Sequence, residues 1–355
     1  MVDPAAPNIL VIRRHYVGDL VLLGSFLANL RLHWPDSRLT VLADEGYAEI
    51  LALNPDRPDV WQVPRRPPRL GRMLGLLARL RRAGFTHVFD IDDNDRTALC
   101  TRATGAPFRA GFDWSRGRMR RRLAYNRTVR VDPAAYEGAH ITEHYLSLLS
   151  PAGVPVATRA VSLAVSPADL DTAAAMLAGM NFAGRPVVLL HPGSSSRFRL
   201  WPADRFARTA DRVQRELGAA VVLVGGPSDL AQMREIGRLA ATPVASIEPP
   251  VPIARLAALL ARASAVLCHD SGPMHIATAV GTPVVALLGS QSRALWGPLG
   301  AGNQVLQAPM PCGGACVAPG ECDRSNAYRS YCVRRIGEEE VFAAVKAVLA
   351  RRGLF

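Results

Sequence analysis

At 355 residues the chain is too long for one ordinary hydrophobic core, so two domains are expected. Its apolar fraction of 49% is that of a globular protein, and no run approaches the ~18–20 apolar residues that span a bilayer. The formal charge of +12 is carried by arginine with Lys346 as the sole lysine, and no recognition-helix, zinc-finger or aromatic RNA-binding signature accompanies it, which excludes nucleic acid as the expected partner.

Short apolar runs alternate with helical patterns along the chain, the sign of a parallel α/β construction. The start, Met1-Val2-Asp3-Pro4, lacks the basic and apolar regions of a signal peptide, so a cytoplasmic location is expected. Asn8 to Ile12 reads as the first strand and leads through Arg13-Arg14-His15-Tyr16-Val17-Gly18-Asp19 into a helix over Leu20 to His33. The glycines of the dinucleotide fingerprint are missing there. Gly18 shapes the turn, and Asp19 sits at the helix start as either an N-cap or a general base. The run from Val17 to Leu30 is the longest apolar stretch, and Asp19 and Asn29 interrupt it.

Leu39 to Leu42 and His87 to Ile91 continue the strands, with an amphipathic helix over Leu70 to Ala83 between them. Arg65, Arg66, Arg69, Arg72, Arg79, Arg81 and Arg82 form one basic cluster, and Arg116, Arg118, Arg120, Arg121 and Arg122 form another. Such clusters attract phosphate-rich partners or an anionic membrane surface, a solvated basic face being the plainer reading. Pro151 to Pro167 is the best linker candidate.

The second half restarts the pattern with strands at Pro186 to Leu190, Ala219 to Val224, Ala265 to Leu267 and Pro283 to Leu288. Helices over Ala203 to Leu217 and Ile253 to Ala263 lie between them. Three strand exits carry Gly or Ser: His191-Pro192-Gly193-Ser194-Ser195-Ser196, Val224-Gly225-Gly226-Pro227 and Asp270-Ser271-Gly272-Pro273-Met274-His275. The last is the most informative, because a strand, a short turn and a helix start aim unpaired backbone N–H groups at an anion. A capped helix with Asp or Ser as N-cap is its bland alternative. Arg199 adds a fixed positive charge near the first of these loops. Together they point to a phosphate or nucleotide site.

Cys100 and Cys268 flank apolar segments and read as small buried hydrophobes. Cys312, Cys316, Cys322 and Cys332 crowd a Gly- and Pro-rich loop with irregular spacings, leaving structural Zn²⁺, an iron–sulfur cluster, and free or disulfide-bonded cysteines open. Glu338 to Leu349 reads as a terminal helix.

In this order of elements the chain resembles the glycosyltransferase family that includes the ADP-heptose:lipopolysaccharide heptosyltransferases. The matching residues are Arg13 with Val17-Gly18-Asp19, then Asp90-Ile91, Arg109-Ala110-Gly111-Phe112, His140 and Tyr145-Leu146. They continue with His191-Pro192-Gly193, Arg199-Leu200-Trp201-Pro202, Val224-Gly225-Gly226-Pro227, Asp270 to His275, and Trp296-Gly297-Pro298.

The resemblance implies a GT-B fold of two Rossmann-like doubly wound domains facing across a cleft. An acceptor domain would span 1–160 and a donor domain 161–335, with 336–355 a helix packing back on the first. It implies inverting transfer of heptose from ADP-heptose to an anionic glycolipid acceptor, the lipopolysaccharide inner core, at the cytoplasmic face of the inner membrane. Asp19 would be the base. Ser194, Ser195, Arg199 and the amides from Ser271 to Met274, Gly272 and Pro273 included, would hold the diphosphate, with Asp270 on the sugar and His275 on a phosphate oxygen. Gly18, Asp92, Arg120, Arg121 and Arg122 are acceptor candidates.

The family usually has Lys where Arg199 stands, and tends to Gln-Gly where this chain has Asp92-Asp93. Asp90-Ile91-Asp92 mimics a metal-binding D-x-D, but Arg199 and a helix end can neutralise a leaving diphosphate, so no catalytic cofactor is expected. A GT-B sugar-nucleotide epimerase, a transferase using another nucleotide sugar, and a non-catalytic binder are the alternatives.

Overall fold

A computed structural model describes residues 6–66, 70–114, 123–308, 322 and 332–354. The chain divides into two compact units, Met1–Ser162 and Leu163–Phe355.

The first unit is built on six parallel strands: β1 (Asn8–Ile12), β2 (Arg38–Asp44), β3 (Asp59–Val63), β4 (His87–Asp90), β5 (Phe108–Trp114) and β6 (Arg127–Val131), in the order β3-β2-β1-β4-β5-β6. Its helices are α1 (Val17–Leu22), α2 (Gly24–His33), α3 (Leu70–Arg82), α4 (Asp95–Thr104), α5 (Pro133–Gly138) and α6 (Ile141–Ser147). The central strands are continuous apolar runs because both faces are covered: Ile9, Leu10, Val11 and Ile12 are fully buried. The helix expected over Leu20 to His33 starts earlier and breaks at Leu23, giving α1 and α2. Asn29, an apparent polar interruption, is buried in α2 and ties down the end of the unit. Its side chain accepts from the Ala157 and Thr158 amides at 2.6 and 3.0 Å and donates to the Thr158 carbonyl at 2.7 Å.

The second unit repeats the plan with β7 (Val187–His191), β8 (Ala220–Leu223), β9 (Ala245–Ser246), β10 (Ala265–His269), β11 (Val284–Leu288) and β12 (Gln304–Gln307), in the order β12-β11-β10-β7-β8-β9. Its helices are α7 (Pro167–Ala178), α8 (Ala203–Glu216), α9 (Leu230–Leu239), α10 (Ile253–Arg262), α11 (Gly272–Ala279), α12 (Arg293–Trp296) and α13 (Glu338–Arg351).

The terminal helix α13 belongs to the second unit. Its Val341, Phe342, Val345, Val348 and Leu349 complete the second unit's own core with Trp201, Phe206 and Leu267. An apolar stripe of that width is buried where it finds the nearest uncovered sheet face.

In both units the strand order reverses beside the first strand, between β1 and β4 and between β7 and β10. Open α/β sheets bind ligands outside the carboxyl ends of the strands at such switch points. Asp19 and Asp92 follow β1 and β4; Ser194, Arg199 and Asp270 follow β7 and β10.

Candidate active site

At the first switch point β1 ends at Ile12, level with Asp90 of β4, and Arg13 and Arg14 form the exit. Asp19 is the third residue of α1, and its Oδ2 accepts from the Tyr16 amide at 2.9 Å, so part of the N-capping reading is realised. Its Oδ1 is available to other donors and takes two. It pairs with the Arg13 guanidinium and accepts from the Tyr145 hydroxyl at 3.0 Å. Burial holds the Tyr145 phenol well above its ordinary value, which keeps that hydroxyl a donor. Arg13 also lies 5.3 Å from the centre of the Tyr145 ring. The carboxylate is therefore fixed at both oxygens and only 8% of the residue is exposed, which is the setting of a placed group rather than a solvated surface acid.

Asp92, an acceptor candidate, faces protein donors. Its side chain is 2% exposed, and Oδ1 is taken by Arg13 at 3.0 Å and by the Arg14 amide at 3.3 Å. Arg14 in turn makes two bonds to Asp44, at 2.7 and 3.0 Å. Asp90 is fully buried and meets no cation among these. It accepts from the Tyr125 hydroxyl at 2.8 Å and the Asp93 amide at 3.1 Å. Burial, followed by the neighbouring Asp92 charge, pushes it up to about 7. The two carboxylates of Asp90-Ile91-Asp92 thus serve different protein partners rather than one shared point. Gly18 lies buried in the first turn of α1. Arg120, Arg121 and Arg122 lie outside the described residues.

At the second switch point the organising residue is one that sequence reasoning missed, His269. Burial pushes it down to about 3, so it is neutral. Its Nε2 accepts from the Trp201 amide at 2.8 Å, which puts the proton on Nδ1, 3.2 Å from the Gly193 carbonyl. One imidazole thereby ties the β7 exit loop and the Arg199–Trp201 segment to the end of β10. Gly193 must be glycine: a Cβ there would lie 2.3 Å from the Asp229 carboxylate, which itself holds the Gly226 amide at 2.8 Å.

Arg199 is buried and reaches Asp270, bonding its carbonyl at 2.7 Å and pairing with its carboxylate. Ser271 caps α11 by position only. Its hydroxyl donates to the His269 carbonyl at 3.2 Å, and the helix start has no side-chain cap. The bland reading of a capped helix end is thus not realised.

The amides expected to bind phosphate are fewer than four. Pro273 has no N–H, and that of Met274 bonds the Ser271 carbonyl at 3.1 Å, leaving Ser271 and Gly272 without a partner among the described residues. The Met274 side chain is core, and His275 is 4% exposed. Ser194 is half-buried and Ser195 exposed on the same loop. The arrangement offers two amides, a buried guanidinium and loop hydroxyls at the positive end of a helix, which suits a diphosphate. Cys312 and Cys316 lie outside the described residues; Cys332 is buried and Cys322 partly so.

The model of glycosyltransferase family 9 (heptosyltransferase) matches residues 73–319. Lipopolysaccharide heptosyltransferase 3 of Escherichia coli is 26% identical over 290 residues, covering 79% of this chain and 83% of that protein. Among solved structures, the glycosyl transferase family 9 protein of Veillonella parvula superposes with a TM-score of 0.81 at 25% identity, over 97% of each chain. The E. coli ADP-heptose lipopolysaccharide heptosyltransferase II superposes at 0.79 with 22% identity, over 98% of this chain and 99% of that one. The fold is that of the GT-B heptosyltransferases.

Proposed function

The chain belongs to glycosyltransferase family 9, the heptosyltransferases, and on that premise we propose that this glycosyltransferase moves a heptose from ADP-heptose to the lipopolysaccharide inner core, with inversion. The acceptor is a lipid A–Kdo or heptosyl sugar. Asp19 takes the proton of the acceptor hydroxyl as its oxygen bonds to the anomeric carbon. The bond from that carbon to the diphosphate oxygen breaks, and ADP leaves with the electron pair.

Arg199 and the Ser271 and Gly272 amides oppose the charge that develops on the leaving group, while Asp270 takes a sugar hydroxyl. This cationic provision is the reason to expect no catalytic metal, and full activity in chelator tests that view. The observation that carries the reading is Asp19, buried and fixed at both oxygens at a switch point.

Asp19→Asn is expected to bind ADP normally and lose transfer by about 10²–10⁴. Near-normal turnover in that variant removes the base. Conversion of ADP-heptose without acceptor favours an epimerase, and turnover of another nucleotide sugar in preference to ADP-heptose reassigns the donor. Structural Zn²⁺ at Cys312, Cys316, Cys322 and Cys332 is the accompanying proposal, and metal analysis of protein purified under reducing, chelator-free conditions decides it.

We place the work at the cytoplasmic face of the inner membrane. Among the described residues no helix is long and apolar enough to cross a bilayer. What supports a peripheral position is α3: Leu70 and Leu74 are 75% and 57% exposed, and no acid stands between Asp59 and Asp90 to offset its arginines. Replacing Leu74 and Arg72 together by Glu is expected to abolish co-sedimentation with phosphatidylglycerol vesicles. Unchanged sedimentation at low salt refutes the placement.

A further inference from the structure

The base does not own its counter-ion. One guanidinium, that of Arg13, pairs through one terminal nitrogen with Asp19 and through the other with Asp92, at 3.0 Å in the second case. Asp92 is closed off from solvent and holds three donors: Arg13, the Arg14 amide at 3.3 Å and the Asn94 amide group at 3.5 Å. Its carboxylate is turned to these protein donors, so its charge acts on its neighbours.

We propose that Asp92 is a positioning residue for Asp19: by sharing Arg13 it limits how far the base is neutralised, and so sets the pH below which transfer stops. The inference rests on Asp19 being the base.

A single positive charge divided between two carboxylates holds each less firmly than it would hold one. Removing the charge of Asp92 leaves Arg13 wholly to Asp19 and deletes a like charge beside it. Both changes favour the ionised carboxylate, and a carboxylate so favoured is a poorer acceptor of the substrate's proton. At an effective dielectric of about 40, a unit charge ~6 Å away across one guanidinium is worth about one pH unit.

Among the described residues, other groups also face the pair. Tyr145 of α6 donates to Asp19 at 3.0 Å, and Tyr136 of α5 feels both Arg13 and Asp19. The Tyr16 amide opens α1. Asp90 of β4 lies beside Asp92, and Arg14 is committed to Asp44, with His15 3.4 Å from the same carboxylate.

The test is kcat/KM against pH for ADP-heptose transfer to a soluble truncated acceptor. Asp92→Asn keeps the shape and the hydrogen-bond acceptors. It is expected to move the acid limb down by about one pH unit, lower the plateau kcat several-fold and leave the donor KM unchanged. Tyr145→Phe removes a donor from Asp19 and is expected to move the limb the other way. Asp90→Asn is expected to leave it in place, which separates the limb from the buried acid next door.

An Asp92→Asn limb coincident with wild type, with only a lower plateau, overturns the proposal, and so does a limb that follows Asp90. Should Asp92→Asn not fold, Asp92→Glu retains the charge and is expected to hold the wild-type limb, a displacement by one full pH unit being the refuting result. Loss of transfer in Asp19→Asn with no movement of the limb in Asp92→Asn defeats this inference alone. Activity in Asp19→Asn defeats the base assignment itself.

Discussion

Asp90→Asn is expected to stabilise the first unit increasingly as pH rises from about 4 to 7, and to leave it nearly unchanged only below about pH 4. The carboxyl is fully buried with hydroxyl and amide partners, and it is pushed up from 3.8 to about 7, first by burial and then by the adjacent Asp92. Between those two values the folded state holds a proton that the unfolded chain has released, so stability is greatest below about 4 and is lost as pH rises through 7. The loss between pH 5.5 and 8.5 comes to about 2 kcal/mol, at ~1.4 kcal/mol for each pH unit over which only the folded state keeps the proton.

Asparagine mimics the protonated acid. Its oxygen can accept from the Asp93 amide, while its NH₂ donates to Thr101 Oγ1 or the Tyr125 oxygen, whose own proton turns to Asp93 Oδ1, already 3.2 Å away. Urea unfolding at the two pH values, followed through the transition of the first unit, measures the difference. The variant's midpoint is expected to exceed that of wild type at pH 5.5 already, and by about a further 2 kcal/mol at pH 8.5. Equal destabilisation at both values refutes the reasoning, since it means that the folded protein keeps Asp90 ionised and bonded.

Two further tests bear on the second unit. His269 is pushed from 6.5 down to about 3, so the unfolded state alone gains a proton between those values and stability present above 6.5 is lost as pH falls. His269→Gln, which can serve both the Gly193 carbonyl and the Trp201 amide, is expected to remove about 2–3 kcal/mol of that loss between pH 7 and 4.5, read from urea midpoints; a parallel pH profile refutes it. Gly193→Ala drives a Cβ into the Asp229 carboxylate and is expected to cost about 1–3 kcal/mol and weaken ADP binding. Calorimetry giving the wild-type Kd shows that the loop does not hold the diphosphate.

Strands covered on both faces announce themselves. β1, β4, β7, β8, β10 and β11 are apolar almost throughout because helices lie above and below them, and the apolar runs of the sequence fall on them. The strands towards the edges do not. β6 reads Arg-Thr-Val-Arg-Val, β9 has two residues, and β5 interleaves Arg109 and Gly111 with aromatics. Gly111 carries a packing requirement that only the fold reveals: a Cβ would meet the Tyr125 ring at 2.5 Å. The terminal helix is legible as a helix, but not its destination, because an apolar stripe says that something must cover it and not what.

The candidate site is legible in the sequence wherever a residue's place at a strand end is what makes it a candidate. Asp19, Arg199 and the Asp270–Gly272 turn are such places, and each lies at a switch point that the strand order alone creates. What the sequence hides are partnerships across distance. Tyr145 stands 126 residues from the carboxylate that it holds, and Asp92 stands 79 from Arg13. No local pattern distinguishes a carboxylate that meets substrate from one already spent on a buried guanidinium. In the fold Asp19 and Asp92 share one guanidinium, that of Arg13, which neither local sequence announces.

The two switch points share one topology and differ in the charge gathered there. The first collects Asp19 and Asp92 around Arg13, with Asp90 buried beside Asp92; the second places Arg199, neutral His269 and the open end of α11 against Asp270. Proton removal needs an anion whose counter-charge is incomplete, and departure of a diphosphate needs donors that are already fixed. A fold repeated twice supplies both only if the loops, not the sheets, carry the difference. That is why substitutions at residues 13, 19 and 92 are expected to change the pH profile of transfer, while those at 193 and 199 change the affinity for ADP.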